Sequence, residues 1–204
     1  MIVKVCGMRE PDNIRAVEQT GPDWMGFIFF PHSSRHVSLR PAYLPERCKR
    51  VGVFVNEVTP AILQKRKNST FIISNCTEQK LPNNVSTWNV PDWGYQSGSL
   101  LPQWVIWNLT VCYENVCDYF LFDTACTGYG GSGKTFDWQV LTAYHGSTPF
   151  LLSGGLKPDS LHSLKEFRHP AWAGIDLNSG FEISPGKKDT TLLNTFIKQI
   201  KSNI

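Results

Sequence analysis

The 204-residue chain has no apolar run approaching the ~18 residues of a membrane span. It has no Cys-x-x-Cys pair, so the ligand spacing of a structural zinc site is missing. Neither sign of charge dominates: 20 Lys and Arg against 17 Asp and Glu leave +3. That excess is too small to argue for nucleic acid or an anionic membrane as partner. Met1-Ile-Val-Lys-Val-Cys-Gly7 is too short and too soon charged to read as a secretory leader. The expectation is therefore a cytoplasmic protein whose six cysteines are free thiols rather than three disulfides. His32 and His36 stand four apart but flank Ser33-Ser34-Arg35 after a proline, with no carboxylate nearby, so no metal site is assigned.

What is present is an alternation of short apolar runs and helical patterns. Apolar runs occur at 2–6, 24–30, 50–55, 119–122, 149–153 and 173–177. Between them, Asp12 or Asn13 can cap a helix carrying Ile14 and Val17 and stopped by Gly21. A short helix fits Ala61 to Lys67, and another starts near Pro158 with Leu161, Leu164 and Phe167 on one side. The last helix carries Leu192, Leu193, Phe196, Ile197 and Ile200. Strands apolar throughout are buried on both faces, and helices between them imply a parallel sheet. Six strands are plain and two more fit within 69–112. Eight β/α units predict a single (β/α)8 barrel over residues 1–204; an open doubly wound sheet is the alternative.

In either architecture chemistry belongs at the C-terminal strand ends. Those ends deliver Cys6 before Gly7, then Asp123, then Ser153-Gly154-Gly155 and Asn178-Ser179-Gly180. A lone Cys there is usually a small buried apolar residue, a lone Asp a helix cap, and paired glycines a turn. At four strand ends together they point to an enzyme acting on a phosphate ester. Gly128-Tyr-Gly-Gly-Ser-Gly-Lys-Thr135 also matches the phosphate-cradling pattern G-x-x-x-x-G-K-[ST]. Its context is poor: it follows its strand late, and Phe136-Asp137-Trp138 does not open a core-facing helix. A glycine-rich lid fits it better than a nucleotide site using Lys134 and Thr135.

At this point the residues resemble the phosphoribosylanthranilate isomerase family. The resemblance is carried by Lys4-Val-Cys-Gly-Met8, by Arg35 within Pro31-His-Ser-Ser-Arg-His-Val-Ser38, and by Val51-Gly-Val-Phe-Val-Asn56. Further on it is carried by Phe122-Asp-Thr124, Gly130-Gly-Ser-Gly133 with Phe136-Asp-Trp138, and Leu152-Ser-Gly-Gly-Leu156. It ends with Gly174-Ile-Asp-Leu-Asn-Ser-Gly-Phe-Glu182, Pro185-Gly186 and Lys188-Asp189. It covers roughly residues 1–68 and 113–204. The resemblance implies a TIM barrel that carries out an Amadori rearrangement of N-(5'-phosphoribosyl)anthranilate in tryptophan biosynthesis, without metal or cofactor. It implies a monomer or homodimer whose partner is a small molecule. By the resemblance, Asp123 is the general acid, Cys6 the general base, and Arg35 holds the anthranilate carboxylate. Gly154, Gly155, Ser179 and Gly180 would bind the phosphate, and Asp176 would also contact substrate. Such chemistry needs an Asp raised above its ordinary ~3.9 and a Cys lowered from ~8.5.

Residues 69–112 break the pattern. Their only charges are Glu78, Lys80 and Asp92, and four of the seven tryptophans (Trp88, Trp93, Trp104 and Trp107) crowd together there. The family's Gln-Leu-His-Gly is absent. Yet Ser74-Asn-Cys-Thr-Glu-Gln-Lys80 can be encoded TCC AAT TGC ACG GAA CAG AAA, which two bases out of frame spells Gln-Leu-His-Gly-Thr-Glu. The expectation is that about 69–111 is read out of frame between two compensating shifts, whether by sequencing error, gene-model error or gene decay. The alternative is a diverged segment that still makes two strands, at Thr70–Ser74 and Trp104–Asn108. A chain with two barrel strands drawn from unpatterned sequence is predicted to be poorly stable and weakly active or inactive, in the extreme a relic of the isomerase. Two measurements check this. The coding DNA should permit the alternative spelling, and incompatible codons would sink it. Thermal unfolding should be broad and early, and a sharp transition at an ordinary mesophile temperature would contradict the expected instability.

Overall fold

A computed structural model describes residues 1–55, 72–76, 86–89, 118–123 and 138–203, with backbone alone at Val55, 72–76 and 86–89. Eight strands run in parallel: β1 (Ile2–Val5), β2 (Trp24–Ile28), β3 (Lys49–Val55), β4 (Ile72–Cys76), β5 (Ser86–Asn89), β6 (Phe120–Asp123), β7 (Phe150–Leu152) and β8 (Trp172–Leu177). Each pairs with the next and β8 returns to β1, so the sheet closes into a barrel without edges. The expected architecture is the one observed.

Two of the strands do come from the atypical segment. β4 starts two residues later than the apolar run at Thr70 suggests. β5 is at Ser86–Asn89 rather than Trp104–Asn108, and 104–108 lies outside the described residues. Trp104-Val-Ile-Trp107 is the apolar run, whereas the fifth strand uses Ser-Thr-Trp-Asn, which has β-forming residues but no apolar run. Residues 77–85 alone join β4 to β5, shorter than the dozen or more residues of an ordinary parallel crossover. The helix expected at Ala61–Lys67, Asn56 and the glycine-rich stretch Gly128–Thr135 also lie outside the described residues.

Side chains alternate along each strand. On β1, Val3 and Val5 face outward and are fully buried, as are Ile175 and Leu177 on β8. They pack on α1 (Pro11–Glu18) through Ile14 and Val17, and on the closing helix α3 (Thr190–Asn203) through Leu193, Phe196, Ile197 and Ile200. Inside the barrel, Trp24, Val51 and Leu151 form a smaller apolar floor with Ile2. α2 (Leu161–Glu166), preceded by a tight turn at Pro158–Ser160, contributes Leu164 to the outer core, with Phe167 just beyond it.

α1 starts one residue before the expected cap. Pro11 takes the first helical position, where its fixed φ is already helical and its missing N–H is no loss, so the N-cap is Glu10. Asn13 is thereby released: its amide donates to the Lys188 carbonyl at 2.9 Å and accepts from the Lys188 N–H at 2.8 Å. Among the described residues no helix is long and apolar enough to cross a membrane. Cys6 and Cys48 are free thiols.

The β1–β8 seam runs Ile2↔Gly174, Val3↔Ile175, Lys4↔Asp176, Val5↔Leu177. A Cβ at Gly174 would overlap the Ile2 carbonyl oxygen. Gly174→Ala is therefore expected to wedge the seam and cost about 3 kcal/mol or more. The readout is a lower urea midpoint or loss of soluble protein; an unchanged midpoint would contradict the close approach.

Candidate active site

Parallel closure puts every C-terminal strand end at one mouth of the barrel. Cys6 follows β1, and its N–H donates to the Leu177 carbonyl at 2.8 Å, extending the seam by one more rung. Room for its sulfur is made by β2: a Cβ at Gly26 would stand 2.6 Å from the Cys6 Sγ. Phe120 and Phe122 belong to the outer core, so alternation turns Leu121 and Asp123 toward the barrel axis. Asp123 is the last residue of β6 and is partly exposed. The thiol and the carboxylate thus flank one mouth, with β7 and β8 between them.

One layer down, Lys4 and Asp176 are register partners, and their side chains meet at 2.9 Å, buried on both sides. Burial opposes the charge on Lys4, but the Asp176 carboxylate and the Cys6 sulfur beside it outweigh that and hold the ammonium protonated. Burial also drives the Asp176 carboxyl upward, with Lys4 acting to keep it ionised. Cys6 experiences the same contest. Burial, helped by the Asp176 carboxylate, pushes the thiol above its ordinary value, against the pull of Lys4, of Lys188 and of the Gly7 N–H. In the unliganded site burial wins, so Cys6 rests as a neutral thiol.

A second charged group lies beside the thiol. After β8 the chain makes a tight turn at Ser179–Phe181 and a hairpin of β9 (Glu182–Ser184) and β10 (Lys187–Lys188) around Gly186, φ +83°. The hairpin register sets Lys188 opposite Glu182, and the ammonium donates to Glu182 Oε1 at 2.6 Å and Asn178 Oδ1 at 2.8 Å. Arg35, in the loop after β2, gives Glu182 a two-pronged grip: Nε to Oε1 at 2.9 Å and Nη2 to Oε2 at 2.7 Å. Burial works against the Glu182 carboxylate, but the two cations overcome it and hold it below the usual range.

The anion-binding turns expected from the sequence are at the same mouth. Gly154 and Gly155 follow β7 with φ of +82° and +67°, a conformation that L side chains rarely adopt. Gly180 is where the loops after β7 and β8 touch: a Cβ there would overlap the Leu156 carbonyl oxygen. Cys6, Asp123, Arg35, Gly154, Gly155, Ser179 and Gly180 are therefore brought together, and Asp176 is below them, paired with Lys4. Among the described residues no cluster of three or more His, Cys, Asp and Glu could hold a metal ion. Sequence reasoning assigned no role to Lys4, Asn178, Glu182 or Lys188. A signal existed for two pairs: Lys4 and Asp176 are lone charges inside apolar strands that a barrel makes neighbours, and Glu182 and Lys188 straddle the Pro185-Gly186 turn.

Comparison with known proteins agrees with the barrel fold. The family model described as N-(5'phosphoribosyl)anthranilate (PRA) isomerase matches residues 107–199. An N-(5'-phosphoribosyl)anthranilate isomerase of Phocaeicola vulgatus is 55% identical over 204 residues, covering 100% of both chains. That of Parabacteroides distasonis is 46% identical over 211 residues, covering 98% of this chain and 93% of the relative. Among solved structures, the phosphoribosyl anthranilate isomerase of Thermotoga maritima superposes with a TM-score of 0.76 at 29% identity, covering 99% of this chain and 100% of that one. Another, bound to reduced 1-(o-carboxyphenylamino)-1-deoxyribulose 5-phosphate, gives 0.73 at 25% identity with the same coverage. This chain belongs to the N-(5'-phosphoribosyl)anthranilate isomerase family.

Proposed function

We propose that this chain is a cytoplasmic, single-domain enzyme that isomerises N-(5'-phosphoribosyl)anthranilate to 1-(2-carboxyphenylamino)-1-deoxyribulose 5-phosphate in tryptophan biosynthesis. The observation that carries the reading is the placement of Cys6 and Asp123 on opposite sides of one barrel mouth in a chain of this family.

The reaction is an internal redox exchange and needs two proton transfers. The Asp123 carboxyl donates a proton to the furanose ring oxygen. The bond from that oxygen to C1' breaks, and the anilino nitrogen's lone pair forms an iminium with C1'. Cys6, its thiol proton released to solvent, then takes the proton from C2' as a thiolate, and the C–H electrons become the C1'–C2' double bond of an enol as nitrogen regains its lone pair. Tautomerisation adds a proton at C1' and removes one from the 2'-hydroxyl, leaving a ketone. C2' is oxidised and C1' reduced, so no outside oxidant is required. Each proton-transfer group is worth about 10²–10⁴ in rate.

The remaining groups hold the substrate's two ends. Arg35 takes the anthranilate carboxylate, and the turns at Gly154, Gly155, Ser179 and Gly180 take the phosphate. Binding energy gathered at the phosphate, away from the reacting carbons, can be used to orient C1' and C2' between acid and base. Asp176 acts through Lys4 in this reading: it keeps an ammonium next to the sulfur that must ionise. A cationic substrate intermediate adds to that pull at the moment the thiolate is needed.

Two tests follow. Freshly made substrate, followed by loss of anthranilate-type fluorescence, should be turned over weakly by this chain, because β4 and β5 derive from the atypical segment. Asp123→Asn and Cys6→Ser should each cut that rate by about 10²–10⁴; rates unchanged in both variants would remove these residues from the mechanism. Secondly, iodoacetamide alkylation of the peptide bearing Cys6 should accelerate about tenfold per pH unit and still be rising above the thiol's ordinary value of about 8.5. Lys4→Met should slow it at any fixed pH. A rate already level at neutral pH would mean a resting thiolate and contradict the account.

A further inference from the structure

We propose that Glu182 is a positioning residue: it holds Arg35 by one edge of the guanidinium and leaves the other edge to grip the substrate's benzoate carboxylate. The inference rests on the reading above that Arg35 receives that carboxylate.

A guanidinium offers two forked faces, Nε with Nη2 and Nη1 with Nη2. Glu182 occupies the first face completely, with Nε at 2.9 Å from Oε1 and 3.1 Å from Oε2, and Nη2 at 2.7 Å from Oε2. Among the described residues the second face is nearly unused: there Nη1 makes only a 3.5 Å contact with Ser34 Oγ, too long to hold it strongly. The arginine stem is fixed as well. A Cβ at Gly7 would lie 2.6 Å from Arg35 Cδ, so the side chain lies against the backbone directly after Cys6. An Arg held by both stem and one fork presents its second fork with little rotamer entropy left to lose on binding.

Glu182 is itself anchored. Lys188 Nζ donates to its Oε1 at 2.6 Å and the Gly186 N–H at 3.1 Å. Lys188 continues to Asn178 Oδ1 at 2.8 Å, next to Ser179 and Gly180. One buried carboxylate therefore links the carboxylate-binding arm to the loop of the phosphate end. Two basic side chains converge on that single anion; burial and the Arg35 guanidinium pull Lys188 down from its ordinary value, so an anionic ligand at this end would favour its charged form.

The test separates positioning from general damage by using two ligands. Reduced 1-(o-carboxyphenylamino)-1-deoxyribulose 5-phosphate and its anilino counterpart lacking the carboxyl group are titrated calorimetrically into the full chain, which requires no turnover. The ratio of their dissociation constants reports the carboxylate grip alone. Glu182→Gln should reduce that ratio by about tenfold, close to the reduction in Arg35→Ala, while affinity for the descarboxy ligand changes little. Lys188→Met, which leaves Glu182 wholly to Arg35, should keep the ratio. An unchanged ratio in Glu182→Gln would overturn the proposal. So would a larger ratio, which would make Glu182 a competitor of the ligand for Arg35. An unchanged ratio in Arg35→Ala would instead overturn the assignment of Arg35 and leave the proton-transfer residues standing. If Glu182→Gln does not fold, Glu182→Asp keeps the charge but withdraws it by one methylene; it should lower the ratio partly, and an undiminished ratio would again overturn the proposal.

Discussion

The seam where β8 returns to β1 is the constraint on which the site depends. Its register makes Lys4 and Asp176 partners across a strand pair and carries Cys6 one rung further, onto the Leu177 carbonyl. The same closure delivers Asn178 and the β9–β10 hairpin to the side of the mouth where Arg35 arrives from β2. Slip the seam by one residue and every inward side chain on β1 would turn outward. The thiol would leave the mouth, and Lys4 would enter an apolar layer among Ile14, Val17 and Leu193. Gly174 and Gly26 are the glycines that permit this fit, one against a backbone oxygen and one against the sulfur.

Electrostatically the mouth holds charges in pairs and triads. Lys4 with Asp176, and Arg35 and Lys188 with Glu182, pair at 2.6–2.9 Å inside a protein interior. Removing one member of such a group leaves an uncompensated buried charge, which costs about 3–5 kcal/mol. These clusters therefore hold their geometry firmly, and what they surround is a thiol that burial keeps neutral. As the base of the proposed reaction, a thiol that is neutral at rest and ionises beside the Lys4 ammonium as the substrate becomes cationic fits a first step that creates that cation. The arrangement also accounts for Asp176, a buried carboxylate near the end of an otherwise apolar strand.

Much of this was legible in the chain. Apolar runs separated by helical stripes announced a parallel sheet, and the strand ends marked Cys6, Asp123 and the glycine turns because in such a sheet chemistry collects there. Partners across the fold were not legible. Nothing local ties Arg35 to Glu182 or Lys4 to Asp176, which are 147 and 172 residues apart. Asn13 illustrates the same limit: it reads as a cap, but Pro11 starts the helix earlier and tertiary contact takes the amide to Lys188. The atypical segment is a different case. The pattern within 69–112 does not announce its strands, and β5 is not its most apolar run. The Phocaeicola vulgatus relative matches over 204 residues, covering both chains fully, a length that a diverged in-frame segment and two compensating frame shifts would both preserve. The family match, for its part, begins at 107, near that segment's end.

The central claim is that this mouth moves a proton off C2' and leaves a ketone there. Substrate labelled with carbon-13 at C2', incubated with the chain and observed by carbon NMR, tests it directly. The account expects the labelled carbon to move from a carbinol to a ketone signal, and Cys6→Ser to leave it as a carbinol. A label that stays a carbinol with folded, soluble protein, or that appears only in free ribose phosphate beside released anthranilate, would contradict it.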